Sequence, residues 1–163
     1  MLKWLNNKKK DNKGFSLVEL IIVVAILAIL VGLLAPQYIK YVEKSRKSAD
    51  ASNLSEMVNA VQIYAADAES SLPAGTYTIT ITKSKTTITG GTAAGLKAIK
   101  DAIAETAPDY ANTKLKSSKW GLNGAKVDTL SVEVKVEGNG STTVTYGNPK
   151  ADQLAAFMKT AKN

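Results

Sequence analysis

The sequence predicts an α+β protein: a long N-terminal helix packed on a small antiparallel sheet, with short helices that include a C-terminal one. Three observations carry this reading. Leu17 to Ala35 is an apolar run with a single charge, Glu19. Beyond it, apolar residues recur at spacings near three and four as far as Ala68, the period of an amphipathic helix. From Thr76 onward, alternating β-branched runs joined by turn-forming residues take over, the pattern of antiparallel strands. A half-exposed helix needs a sheet to cover its apolar stripe, and that requirement joins the two halves of the pattern.

The first element has membrane length. At ~1.5 Å per residue, a helix from Phe15 to Ala35 is about 30 Å long, the thickness of a bilayer core. Lys3, Lys8, Lys9, Lys10 and Lys13 precede it, offset by Asp11. By the positive-inside rule the N-terminus stays in the cytoplasm and the remainder points outward. A secretory signal peptide has a shorter apolar region followed by an A-x-A-like site. Here Ala35 has Leu33 two residues before it and Pro36 behind it, which is a poor site. A plain anchor leaves Glu19 and the Gly14-Phe15 junction unexplained. A charged carboxylate near the bilayer centre costs roughly 2–3 kcal/mol or more, so Glu19 calls for a partner. The competing reading is that Glu19, near the start of the segment, snorkels to the headgroups.

The helix is expected to continue past the membrane. Tyr38, Val42, Ala49, Met57, Ala60, Val61, Tyr64, Ala65 and Ala68 form the apolar stripe. Lys40, Glu43, Lys44, Arg46, Lys47, Asp50, Ser55 and Glu56 form the opposite face. Glu43 to Asp50 reads as a solvated face or as charges that pair between neighbouring copies; a contact with anionic lipid is the third reading, which Glu43 and Asp50 dilute. Gly32 and Pro36 interrupt the helix, because proline removes a backbone donor and glycine weakens the local helix.

After Ala68 the character changes. Glu69 to Gly75 reads as helix end and loop. Thr76 to Thr82 is a strand, Lys83-Ser84-Lys85 a turn, and Thr86 to Thr89 the returning strand. Thr92 is positioned to cap a helix running to about Thr106, with Leu96, Ile99, Ala102 and Ile103 on its apolar face. Pro108 to Ser118 looks irregular. Leu130 to Val136 alternates clearly, Gly138-Asn139-Gly140 is a hairpin signal, and Thr142 to Tyr146 returns. Asn148-Pro149 then reads as the cap and first residue of a last helix, with Leu154, Ala155, Phe157 and Met158 on its apolar face. Trp120 is expected in the core.

Gly14-Phe15-Ser16-Leu17-Val18-Glu19, with the lysines before it and the apolar run behind it, resembles the class III signal of type IV pilins and the related pseudopilins. The resemblance is specific from Lys13 to about Ala65. It implies cleavage after Gly14 by a cytoplasmic-side prepilin peptidase, methylation of the new N-terminus at Phe15, and assembly by pilus machinery with a cytoplasmic ATPase. Glu19 then corresponds to the acidic fifth residue of the mature chain, and Pro36 to the family's mid-helix proline. The domains implied are a leader, 1–14, an assembly helix, 15–36, and a head, 37–163. The mature amine, four residues before Glu19, can offset that carboxylate in a neighbouring copy. At about 4 Å the attraction is roughly 4 kcal/mol at an effective dielectric near 20, before desolvation. Such a pair sets register more than it adds stability.

Composition limits the alternatives. There is no cysteine and no histidine, so a Cys nucleophile and a His base are excluded and no enzyme is indicated. The head cannot carry the disulfide common among pilins. A secreted chain without cysteine is consistent with a Gram-positive host. No calcium-loop or phosphate-loop pattern is present, so no cofactor or metal is expected. The formal charge of +7 loses five lysines and one aspartate with residues 1–14 and falls to +3. That is too mild to indicate nucleic-acid binding. The expected function is that of a pilin, the major subunit of a helical filament serving adhesion, twitching motility or biofilm formation. Membrane insertion comes first and the extracellular filament second. The alternatives are a pseudopilin of a type II secretion or DNA-uptake machine, and a non-assembling anchored binding module.

Overall fold

The computed structural model describes residues 14–67, 72–147 and 152–161. The lysines of the expected leader and residues 68–71 lie outside the described residues. Helix α1 (Leu17–Ala66) is followed by strands β1 (Gly75–Thr82) and β2 (Thr86–Gly90) and helix α2 (Ala93–Thr106). Strands β3 (Thr129–Val136) and β4 (Thr142–Tyr146) and helix α3 (Leu154–Ala161) complete the chain. The chain divides between Tyr41 and Val42 into two units. The architecture is the expected α+β.

The first unit is the apolar part of α1. From Phe15 to Leu34 every large apolar side chain is exposed, none less than 47%. Helix α1 runs through Gly32 and Pro36 without ending, so the interruption expected there is not seen. The two form a matched pair. The carbonyl four residues before Pro36, which proline cannot bond and against which its ring presses, belongs to Gly32.

In the second unit the four strands form one antiparallel sheet in the order β2-β1-β3-β4. Alternation sorts its faces. Tyr77, Ile79 and Ile81 of β1, Ile88 of β2, and Leu130, Val132, Val134 and Val136 of β3 are buried. Thr76, Thr78, Thr80, Thr87, Thr89, Glu133, Lys135, Thr143 and Thr145 occupy the other face. Ala51, Leu54, Met57, Val58, Val61 and Ala65 of α1 belong to the same core as the inward sheet residues. Ile99 and Ile103 of α2 and Leu154 and Met158 of α3 join them.

Local signals decide most boundaries. The Thr92 side chain accepts the Gly95 backbone N–H at 3.1 Å and caps α2. Gly140, at φ +77°, closes the β3–β4 hairpin by donating to the Glu137 carbonyl at 3.0 Å. Pro108 to Ser118 is irregular apart from one 3-10 turn at Tyr110–Asn112. Three expectations need correction. Helix α1 ends at Ala66, two residues before Ala68. Its buried stripe runs through Ala51, Leu54 and Val58, while Tyr38 is 70% exposed. Helix α3 starts at Leu154, whose N–H donates to Asp152 Oδ1 at 3.0 Å. The expected cap at Asn148-Pro149 lies outside the described residues, and among the described residues Asp152 provides a side-chain acceptor at the helix start.

Candidate processing and assembly site

Gly14 lies three residues ahead of the start of α1 at Leu17. Gly14, Phe15 and Ser16 precede α1 and are exposed, Phe15 at 85%. A Cβ added at Gly14 would meet nothing within 4 Å, so nothing in the fold itself requires glycine there. Ser16 Oγ accepts the Val18 N–H at 3.3 Å, and the Ser16 carbonyl accepts the Leu20 N–H at 3.1 Å. Glu19 reaches back so that its Oε2 accepts the Ser16 N–H at 2.8 Å. This is a capping box, with serine at the cap and glutamate three residues on, each side chain accepting an orphan backbone donor of the first turn. The negative carboxylate also lies at the positive end of the helix dipole.

Glu19 is therefore partnered inside its own chain. The box occupies one of its two oxygens, and an ionised carboxylate offers about four lone-pair sites. Ser16 is the residue that the charge-centred reading of the sequence leaves out, although S-x-x-E ahead of an apolar run is itself a helix-start signature.

The charge run of the second unit divides by role. Asp50 is fully buried. It accepts the Lys116 N–H at 2.8 Å, the Ser117 N–H at 2.9 Å and the Trp120 Nε1–H at 3.1 Å. The expectation that Asp50 belongs to a solvated or intersubunit face is thus corrected: three internal donors satisfy it. About two turns earlier, Glu43 accepts the Ser117 hydroxyl. Lys47 lies 5.3 Å from the centroid of the Trp120 ring and donates to Gln153 Oε1 at 3.3 Å. The Trp120 ring meets Phe157 of α3 edge-on at 5.3 Å. Trp120 is fully buried, as expected. Lys44 and Arg46 remain exposed. Among the described residues, no three His, Cys, Asp or Glu side chains gather into a metal-sized group.

Residues 9–35 match the prokaryotic N-terminal methylation motif. The chain carries the class III signal of type IV pilins. No curated protein and no solved structure matches it. The pilin signal covers the junction and the exposed apolar helix together and stops before the head begins. It marks a substrate of type IV pilin-like or pseudopilin processing, in the context of prepilin peptidase and pilus assembly. The apolar helix behind the signal fits membrane anchoring before assembly, and the pilin motif points to a structural protein.

Proposed function

We propose that the chain is a major type IV pilin, cleaved after Gly14, methylated at Phe15 and polymerised through its N-terminal helix into a surface filament. The leader is then 1–14, the assembly helix 15–36 and the displayed head 37–163. The observation that carries this reading is the coincidence of the methylation motif with an apolar helix whose side chains are exposed all round. A helix apolar on every side needs lipid or protein about it. Lipid serves before assembly, and the helices of sister copies serve after it.

Glu19 supplies the register. Its Oε2 holds the Ser16 N–H of its own chain, and its second oxygen receives the Phe15 amine of a neighbouring copy. Gly32 and Pro36 give the helix a stretch where one backbone bond is already missing, the place where it yields during packing. A pseudopilin role uses the same signal and helix. The threonine-rich outward face of the sheet and the absence of a recognisable calcium loop favour the pilin.

Two substitutions test the reading. Glu19→Gln keeps a capping box, since glutamine serves at that position as glutamate does, but removes the charge. The subunit is expected to insert and be cleaved normally while filament yield falls at least tenfold against an undiminished membrane pool. Filaments at the normal yield would refute the pairing. Gly14→Val is expected to leave an uncleaved precursor in the membrane, because the peptidase needs close backbone approach at that residue. Mass spectrometry of the mature N-terminus reads the result, and normal processing of the Gly14→Val variant would overturn that role.

A further inference from the structure

We infer that Asn139 is an acceptor for N-linked glycosylation at the exposed tip of the β3–β4 hairpin. This rests on the reading of the head as displayed outside the cell. The sequence holds two N-x-S triplets, Asn53-Leu54-Ser55 and Asn139-Gly140-Ser141, and that triplet is the acceptor pattern of N-glycosylation. The structure separates them. Asn53 lies inside α1, half-buried, with a fully buried Leu54 beside it. A transferase needs the triplet as an accessible loop, and a packed helix cannot supply one. Asn139 and Ser141 are both exposed, in the turn between two strands.

The turn also places the acceptor in a chemically prepared state. A carboxamide nitrogen is a poor nucleophile because its lone pair is delocalised onto the oxygen. Asn139 Oδ1 accepts the Ser141 backbone N–H at 3.0 Å and the Ser141 hydroxyl at 2.7 Å. Two donors aimed at Oδ1 stabilise the negative charge that gathers there as Nδ2 gives up a proton, the same electrostatic logic as an oxyanion hole. The serine of the triplet thus acts directly on the asparagine.

The reaction balances with one co-reactant, a glycan carried on a polyprenyl diphosphate. Asn139 Nδ2 attacks C1 of the first sugar and forms a C–N bond. The C1–O bond to the diphosphate breaks, and the diphosphate leaves with the electron pair. The amide proton passes to a base of the transferase.

The test uses the protein sheared from the surface of its own cells. Tryptic digestion isolates Asn139 in the peptide 136–150 and Asn53 in the peptide 48–83. The expected result is a sugar mass on the first peptide and none on the second, with the sugar lost in Asn139→Gln and Ser141→Ala and retained in Ser141→Thr. An unmodified 136–150 peptide overturns the inference. A sugar that survives Asn139→Gln overturns it in favour of a hydroxyl-linked glycan on this threonine-rich hairpin. The N-terminal peptide of the same digest reports processing at Gly14, so a bare Asn139 on a correctly processed subunit fails this inference alone.

Discussion

Asp50 shows how a single side chain can organise a large part of the head. Each of its bonds joins α1 to a segment at least 66 residues away. A buried donor that loses its acceptor costs about 1–3 kcal/mol, and bonds to charged groups stand at the upper end. Asp50→Ala leaves two backbone N–H groups and the indole N–H without a partner. The head is expected to lose about 3 kcal/mol or more, measured by denaturant unfolding of the purified protein. A loss below about 1 kcal/mol would mean that water replaces the carboxylate. Asp50 was not legible in the sequence because nothing local distinguishes it from Glu43, Lys44 and Arg46. Its role depends on donors from Lys116 to Trp120, which no spacing rule relates to α1. Glu19 differs: its backbone partner is three residues away, so its capping role was available in the Ser16-x-x-Glu19 pattern.

At the level of elements, legibility follows the range of the signal. The four strands alternate over their own length, and their turns carry glycine or short polar residues, so they read correctly within a residue or so. Thr92 and α2 read correctly for the same reason. The start of α3 did not, since Asn148-Pro149 is a strong local cap signal while the observed start rests on Asp152. That aspartate is fixed by tertiary contact, in a bridge with Gly121. Gly95 in α2 makes the same point energetically. In an isolated helix, alanine in place of glycine gains about 1 kcal/mol. Here a Cβ would collide with the Tyr77 hydroxyl and come within 3.2 Å of Pro73. Tyr77 is fully buried and donates to the Pro73 carbonyl at 2.8 Å. Gly95→Ala is therefore expected to destabilise the head by about 1–3 kcal/mol, the usual range for overpacking. An increase in the thermal midpoint would show that the Tyr77 ring retreats freely.

The molecule as a whole carries a prediction about pH. It has no histidine, so no histidine titration divides its stability between about pH 5 and 8. Tyr77, Tyr110 and Tyr146 all shift the same way. Burial pushes the Tyr77 phenol up. Burial, with Asp101 assisting, does the same to Tyr110. Burial raises Tyr146 against a smaller opposing hydrogen bond from Ser55. The unfolded chain releases these protons near pH 10, and the folded head holds them longer. Their contribution is therefore fully present below about pH 10 and is lost as pH rises through the folded values. Lys97 and Lys135, raised by Asp101 and Glu137, act in the same direction from the surface. Thermal midpoints should stay level from about pH 7 to 9 and fall above about pH 10, with phenolate absorbance appearing on unfolding. A midpoint that holds to about pH 11 would contradict this account.

The attachments of Glu43, Lys47 and Asp50 have a mechanical consequence. In helical form, the seven steps from Glu43 to Asp50 span about 10 Å; drawn out as a strand they would span about 23 Å. Ser117 holds both ends of that interval, through its hydroxyl at Glu43 and its N–H at Asp50. One residue cannot follow ends that separate by more than about 10 Å, so this part of α1 resists elongation until one of the two attachments breaks. In the proposed filament, tension would therefore lengthen the helix first around the bond already missing between Gly32 and Pro36, while the folded second unit keeps its shape.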